Sequence, residues 1–237
     1  MVYQPYPTPP LIRLRFLFLI VWLSCTNKTT ASGIEIAFNC TASRLEDGGY
    51  WTMVGTDTIF MNTLRFYTTD LKLVSGDKVV YTDSVAHLID LTNPEGLHSF
   101  NVTMEKAPDF DAISFELGID STSNCSGALA GDLDPMHGMY WSWQSGYINL
   151  KAEGSVGSLK SYNTEIQYHI GGYLYPFLAA KKVELQTKSS NRIRVCFDLN
   201  RFLKATLSSG ENHIMSPGTK AVSLSQAAVN AFMICQP

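Results

Sequence analysis

The chain has 237 residues, 45% of them hydrophobic and 16% charged, with a formal net charge of −3. That composition fits one globular domain with a sizeable core. The 18 Lys and Arg nearly balance 21 Asp and Glu and form no basic run, which argues against nucleic acid and anionic membrane surfaces as partners.

At the N-terminus, Arg13 and Arg15 precede the apolar stretch Phe16–Leu23. It is far shorter than the ~18–20 residues a bilayer span requires. A basic flank with a short apolar core reads as a secretory signal. Residues 1–25 are therefore read as a signal, 26–33 as a flexible tether and 34–237 as a single domain. Cys25 stands where a lipoprotein signal is cut and acylated, although Trp22 fits that site poorly; ordinary cleavage after Ala31 is the competing reading. Both imply export, to the periplasm or as an outer-membrane or cell-surface lipoprotein. Membrane contact is expected only through a lipid anchor.

Setting Cys25 aside leaves Cys40, Cys125, Cys196 and Cys235. An even number in an exported chain suggests two disulfides, with three connectivities open. No CxxC or Cys/His spacing of the zinc type is present.

Beyond residue 33 the apolar residues alternate. Ile34, Ile36 and Phe38 form the first such run, and "SGD" at Ser75–Asp77 reads as a hairpin turn. Further runs are Phe100 to Met104, Ile113 to Leu117, Ile166 to Ile170 and Ile193 to Leu199, each bounded by turn residues. Many short strands at this spacing predict an all-β fold, an antiparallel β-sandwich with long loops. Helical patterning is weak, with Ser223–Cys235 the best candidate, so at most a short C-terminal helix is expected.

No nucleophile-elbow, P-loop or dinucleotide motif occurs, and a carboxylate pair such as Glu116 with Asp120 has no spacing rule behind it. The chain is read as non-enzymatic. In the acidic loop Gly118–Pro135, Asp120, Asn124, Asp132 and Asp134 offer hard oxygen ligands of the calcium type; the competing reading is that these are ordinary turn residues. His169 has the opposite parity to Ile166, Tyr168 and Ile170 and so points away from their apolar face, whereas His87 shares a face with Val85 and Ile89. Histidines from separate strands of a sandwich can converge on copper or zinc. If "MHGMYWSW" is extended, His137, Met139, Trp141 and Trp143 share one side. An aromatic core plug, a ligand-stacking platform and a soft metal site are the three readings of that stretch.

Three segments in order, "FELGIDSTSN" (115–124), "GDLDPMHGMYWSWQSGYINLKAEG" (131–154) and "YHIGG" (168–172), resemble the MbnP-like family of methanobactin-associated periplasmic proteins and related copper proteins. The upstream segment 66–91 is similar to the family's N-terminal hairpin. The resemblance spans roughly residues 34–200. It implies an exported β-sandwich for copper acquisition, storage or handling, with calcium as an occasional structural ion. It also implies a tryptophan oxidised to kynurenine by a partner dihaem enzyme related to MauG, and an outer-membrane copper uptake partner. Residue by residue, His169 matches the motif histidine, with His87 and His137 as further ligand candidates. Trp141 and Trp143 match the tryptophan element. The alternative function is an extracellular carbohydrate- or protein-binding β-sandwich module without metal.

Overall fold

The computed structural model describes residues 1, 32–42, 44–46, 48–93, 98–143, 146–158, 161–208 and 210–235. The expected signal with Cys25 and the tether up to Ala31 lie outside the described residues. Among those described, the strands in the first half are β1 (Ser32–Thr41), β2 (Arg44–Glu46), β3 (Gly49–Val54), β4 (Asp57–Ser75), β5 (Lys78–Asp83), β6 (His87–Asp90), β7 (Ser99–Met104) and β8 (Ala112–Leu117). A short helix α1 (Ser121–Cys125) follows, then β9 (Tyr140–Trp141), β10 (Gly146–Ser158), β11 (Ser161–Gly171), β12 (Lys181–Gln186) and β13 (Arg192–Asp198). The chain closes with α2 (Leu199–Leu207), β14 (His213–Ile214), α3 (Thr219–Val229) and β15 (Phe232–Ile234).

A four-stranded sheet in the order β15-β13-β1-β7 faces a larger sheet whose main path is β12-β8-β4-β10-β11-β14. The β-sandwich is as the alternation predicts, with two parallel pairings, β1 with β13 and β11 with β14, among the antiparallel ones. The 19-residue β4 organises the larger sheet. One edge pairs with β10 and then β8; the other pairs with β3, β6 and β5 in turn. A register shift between Thr69 and Lys72, with Asp70 at φ 48, marks a bulge in this long strand. The hairpin turn at Ser75–Asp77 forms as expected, with Gly76 at φ 57.

Between the sheets, Phe38 of β1 meets Phe66 of β4 and Phe115 of β8 edge-on, with ring centroids 5.6 and 5.7 Å apart. Phe232 of β15 closes on Phe66, Phe115 and Phe197 at 5.3, 5.4 and 5.0 Å. Edge-to-face contact between rings stabilises such pairs beyond their buried area.

The C-terminal region differs from the expected helix over Ser223–Cys235. The helix starts earlier, at Thr219, and stops at Val229; Phe232–Ile234 is a strand on β13. Its Phe232 belongs to the phenylalanine cluster, so tertiary packing overrides the local Ala-rich pattern. Leu199, which continues the β13 alternation in sequence, instead opens α2, whose N-cap Asp198 accepts from Arg201 N at 2.9 Å.

One disulfide forms, Cys196–Cys235, and ties β13 to the segment just past β15. The second expected bond is absent: Cys40 on β1 and Cys125 on α1 are free thiols carried by elements in different layers. Burial and the neighbouring Asp198 push the Cys40 thiol up to about 12. The disulfide bridges 39 positions of sequence, so in the chain-entropy account removing it costs about 4 kcal/mol. The Cys196→Ser, Cys235→Ser double variant should show that loss in urea denaturation, whereas Cys125→Ser should leave the midpoint unchanged.

Candidate functional site

The register of the larger sheet sets which polar side chains can meet. His169 of β11 pairs with Lys151 of β10, Lys151 with Arg65 of β4, and Arg65 with Asp90 of β6. This row projects to the outer face, because the adjacent row, Ile170, Leu150, Phe66 and Ile89, fills the core. His169 Nε2 lies 2.6 Å from Glu153 Oε1, the diagonal neighbour two residues along β10. Arg65 Nε binds Asp90 at 2.7 Å, and Lys151 Nζ lies 3.4 Å from Glu153.

The 135–138 turn crosses this same face. Arg65 Nη1 donates to the His137 carbonyl at 3.1 Å, and Lys151 Nζ to the Gly138 carbonyl at 3.5 Å. The His137 ring itself is exposed, with Nε2 3.1 Å from the Gly131 carbonyl. His87 goes elsewhere. Its register opposite Thr68 gives it the core-facing parity of Phe66 and Ile89. There it stacks on Phe100, with ring centroids 3.6 Å apart, and contacts Asp83 at 3.2 Å. His87 and His169 thus point to opposite faces of one sheet, and the structure does not bring them together.

A histidine outside the candidate set does share the His169 face. His213 of β14 is in register with Gln167 of β11 and is a diagonal neighbour of His169. No periodicity marks a strand of two residues, so His213 carried no signal in the sequence. Glu153 was missed for a similar reason, since strand register is not written in either strand alone. Among the described residues, no group of three or more His, Cys, Asp or Glu stands close enough to hold a metal ion without further ligands.

The tryptophan stretch is not one extended strand. Pro135–His137 is a turn of 3₁₀ helix, Gly138 takes φ 69, and only Tyr140–Trp141 pairs, with β10. His137 consequently does not line up with the tryptophans. Trp141 is 5% exposed in a second apolar cluster with Tyr67, Ile119, Met139, Tyr147 and Ile148, on the outer face of the larger sheet. Trp143 is 66% exposed, its ring 5.9 Å from that of Trp141. A Cβ on Gly171 would stand 2.8 Å from the Trp141 ring, so the "YHIGG" and "MYWSW" segments interlock.

The acidic loop is organised by its own hydrogen bonds. Asp120 caps α1, accepting from Thr122 N at 2.8 Å and from Ser123 N and Oγ at 3.0 and 2.6 Å. Buried Asn124 accepts from Tyr147 N at 2.8 Å and donates to the Ile119 carbonyl at 2.9 Å. Asp132 accepts from Leu88 N at 2.9 Å and Asp134 from Met136 N at 2.8 Å. Asp120 and Asp134 serve a cap and a turn by bonding nearby backbone, whereas Asn124 and Asp132 tie the loop to β10 and β6.

A family model, MbnP, matches residues 28–220. The chain belongs to the MbnP family. In fold it is similar to MbnP from Methylosinus trichosporium, with a TM-score of 0.54 at 13% identity, over 73% of this chain and 78% of that one. No curated protein matches the sequence. The match to MbnP covers the outer-face histidines and both interlocked segments.

Two electrostatic shifts define the His169–Glu153 pair in this MbnP-family chain. Burial, aided by Lys151, holds the His169 imidazole below its ordinary 6.5 against the opposing pull of Glu153. Burial alone would raise Glu153, but the His169 hydrogen bond and Lys151 bring it below 4.5. Near neutral pH the pair is therefore a neutral imidazole donating from Nε2 to a carboxylate.

The signs of both shifts give a stability profile. Unfolded His169 takes a proton more readily than folded His169, so stability falls as pH drops below 6.5 towards the folded value. Glu153 contributes stability above 4.5 that is lost as pH falls through its lowered value. His169→Gln should flatten the fall in denaturation midpoint between pH 7.5 and 5.5, measured in urea. Truncating the tryptophans should separate their roles: Trp141→Ala costs about 3–5 kcal/mol by emptying a core site, and Trp143→Ala stays within about 0.5 kcal/mol.

Proposed function

We propose that this chain is an exported, non-enzymatic copper-handling protein of the MbnP family, with copper as cargo and His169 as the imidazole that meets it. The observation that carries the reading is the His169–Glu153 contact at 2.6 Å. A ligating histidine commonly donates its second ring N–H to a carboxylate, which fixes the tautomer and leaves the other nitrogen's lone pair for the metal. Here Nε2 donates and Nδ1 keeps the lone pair. His213, diagonal to His169 across the β11–β14 ladder, is the natural second imidazole. Two imidazoles suit monovalent copper in near-linear coordination, and the Lys151 ammonium beside them opposes a divalent ion more strongly than a monovalent one.

The test is anaerobic loading with Cu(I), removal of excess metal with a chelator and copper-to-protein analysis. One retained copper per chain is expected. His169→Ala and His213→Ala should each release it, while His87→Ala, on the opposite face, should retain it. Undiminished copper in the His169→Ala, His213→Ala double variant overturns the assignment.

A second reading, a carbohydrate- or protein-binding module without metal, is favoured by one observation. Trp143 is exposed, as are Leu174, Tyr175, Phe177 and Leu178 in the loop before β12. In that case copper would not be retained, and Trp143→Ala would weaken ligand binding while leaving the fold intact.

A further inference from the structure

Next to the two imidazoles, the register of β14 brings a third soft donor to the same face. β14 runs parallel to β11, with His213 beside Gln167 and Ile214 beside Tyr168. Past Ile214 the chain stays alongside the end of β11, since a Cβ on Gly172 would stand 3.2 Å from Pro217 Cβ. Met215, the next position in the ladder, is therefore level with His169. Ile214 is buried in the core, so the alternation sends His213 and Met215 to the outer face together.

Packing does not account for a methionine there. The surrounding face carries Gln167, Lys151 and Glu153, and among the described residues Met215 is packed into neither apolar cluster. It is 44% exposed. His169, by contrast, is only 7% exposed and has committed Nε2 to Glu153 at 2.6 Å. Its Nδ1 makes no hydrogen bond among the described residues, so that lone pair is uncommitted. A buried imidazole with one free nitrogen thus stands between Lys151 on β10 and a thioether on the strand at the sheet edge.

We infer that Met215 is a ligand to monovalent copper, its thioether completing a three-coordinate site with His169 Nδ1 and the His213 imidazole. This rests on the copper reading above and adds the residue that sets the preference for one oxidation state. Thioether sulfur is a soft, neutral donor that selects Cu(I), whereas imidazole alone also suits divalent copper, zinc and nickel. Three rotatable bonds let the sulfur close on a metal held by the stiffer imidazoles. Because sulfur adds no charge, the Lys151 ammonium still opposes a divalent ion.

Met215→Leu keeps the bulk and removes the donor. In the full chain, competition against a chromophoric Cu(I) chelator should show the variant binding Cu(I) about tenfold more weakly or worse. Its Cu(II) affinity and melting temperature should stay as they are. Each tenfold loss of that preference lowers the copper reduction potential by about 59 mV, a change that a merely structural role would not produce. Copper-edge X-ray absorption of selenomethionine-labelled protein should show a selenium neighbour that Met215→Leu lacks, which separates Met215 from the exposed Cys125 thiol. Equal Cu(I) affinity in the two chains, an unchanged potential, or no selenium beside the copper overturns Met215 as a ligand and leaves the imidazole reading standing. No copper retained by the unaltered chain overturns both.

Discussion

The phenylalanine cluster between the two sheets is the constraint from which the rest of the molecule follows. Phe38 and Phe232 of the smaller sheet press edge-on against Phe66 and Phe115 of the larger one, with centroids 5.3 to 5.7 Å apart, and Phe197 stacks on Phe66 at 6.3 Å. A strand's side chains alternate, so one inward ring fixes the direction of every neighbour. With Phe66 inside, Arg65 and Tyr67 must face out; with Ile170 inside, His169 must face out. Ile89 inside sends Asp90 outward and His87 inward. The distribution of imidazoles over the two faces is thus a consequence of core packing, settled before any metal is considered.

The outer face of the larger sheet is itself divided. Over Tyr67 it is dry, covered by Ile119, Met139, Trp141, Tyr147 and Ile148 of the second apolar cluster. Tyr147 anchors that cover, its hydroxyl donating to the Leu133 carbonyl at 3.0 Å and accepting from Leu129 N at 2.9 Å. Further along, at Arg65, Lys151, Glu153 and His169, the same face is polar. Burial, aided by Lys151, keeps His169 neutral, and Glu153 orients its ring. The tryptophan-rich segment bounds this region. Trp141 closes the dry cluster against Gly171, and Trp143 stands at its edge in solvent.

Much of the architecture is legible in the chain because its signal is local. Alternation over Ile34–Phe38, Ile113–Leu117 and Ile166–Ile170 needs only a period of two, and the parity that sends His169 outward is read from the same residues. The "SGD" turn is equally local. Helix α2 was not legible, since Leu199 continues an apolar alternation and only the Asp198 cap distinguishes it. The end of α3 was hidden too: "FMI" becomes strand because Phe232 completes a cluster whose other members lie up to 194 positions away.

By itself, then, the sequence determined the β-sandwich, the outward direction of His169 and the resemblance to the MbnP family, all of which rest on periodicity or on motifs within one segment. Register between strands distant in sequence belongs to the tertiary structure alone. That register placed Glu153 and His213 beside His169, turned His87 to the far side and joined Cys196 to Cys235 while leaving Cys40 and Cys125 apart. The physical reason is that a residue's face depends on its own strand, but its neighbours depend on how two strands are aligned. That alignment is fixed only when the inward side chains of every strand pack into one core.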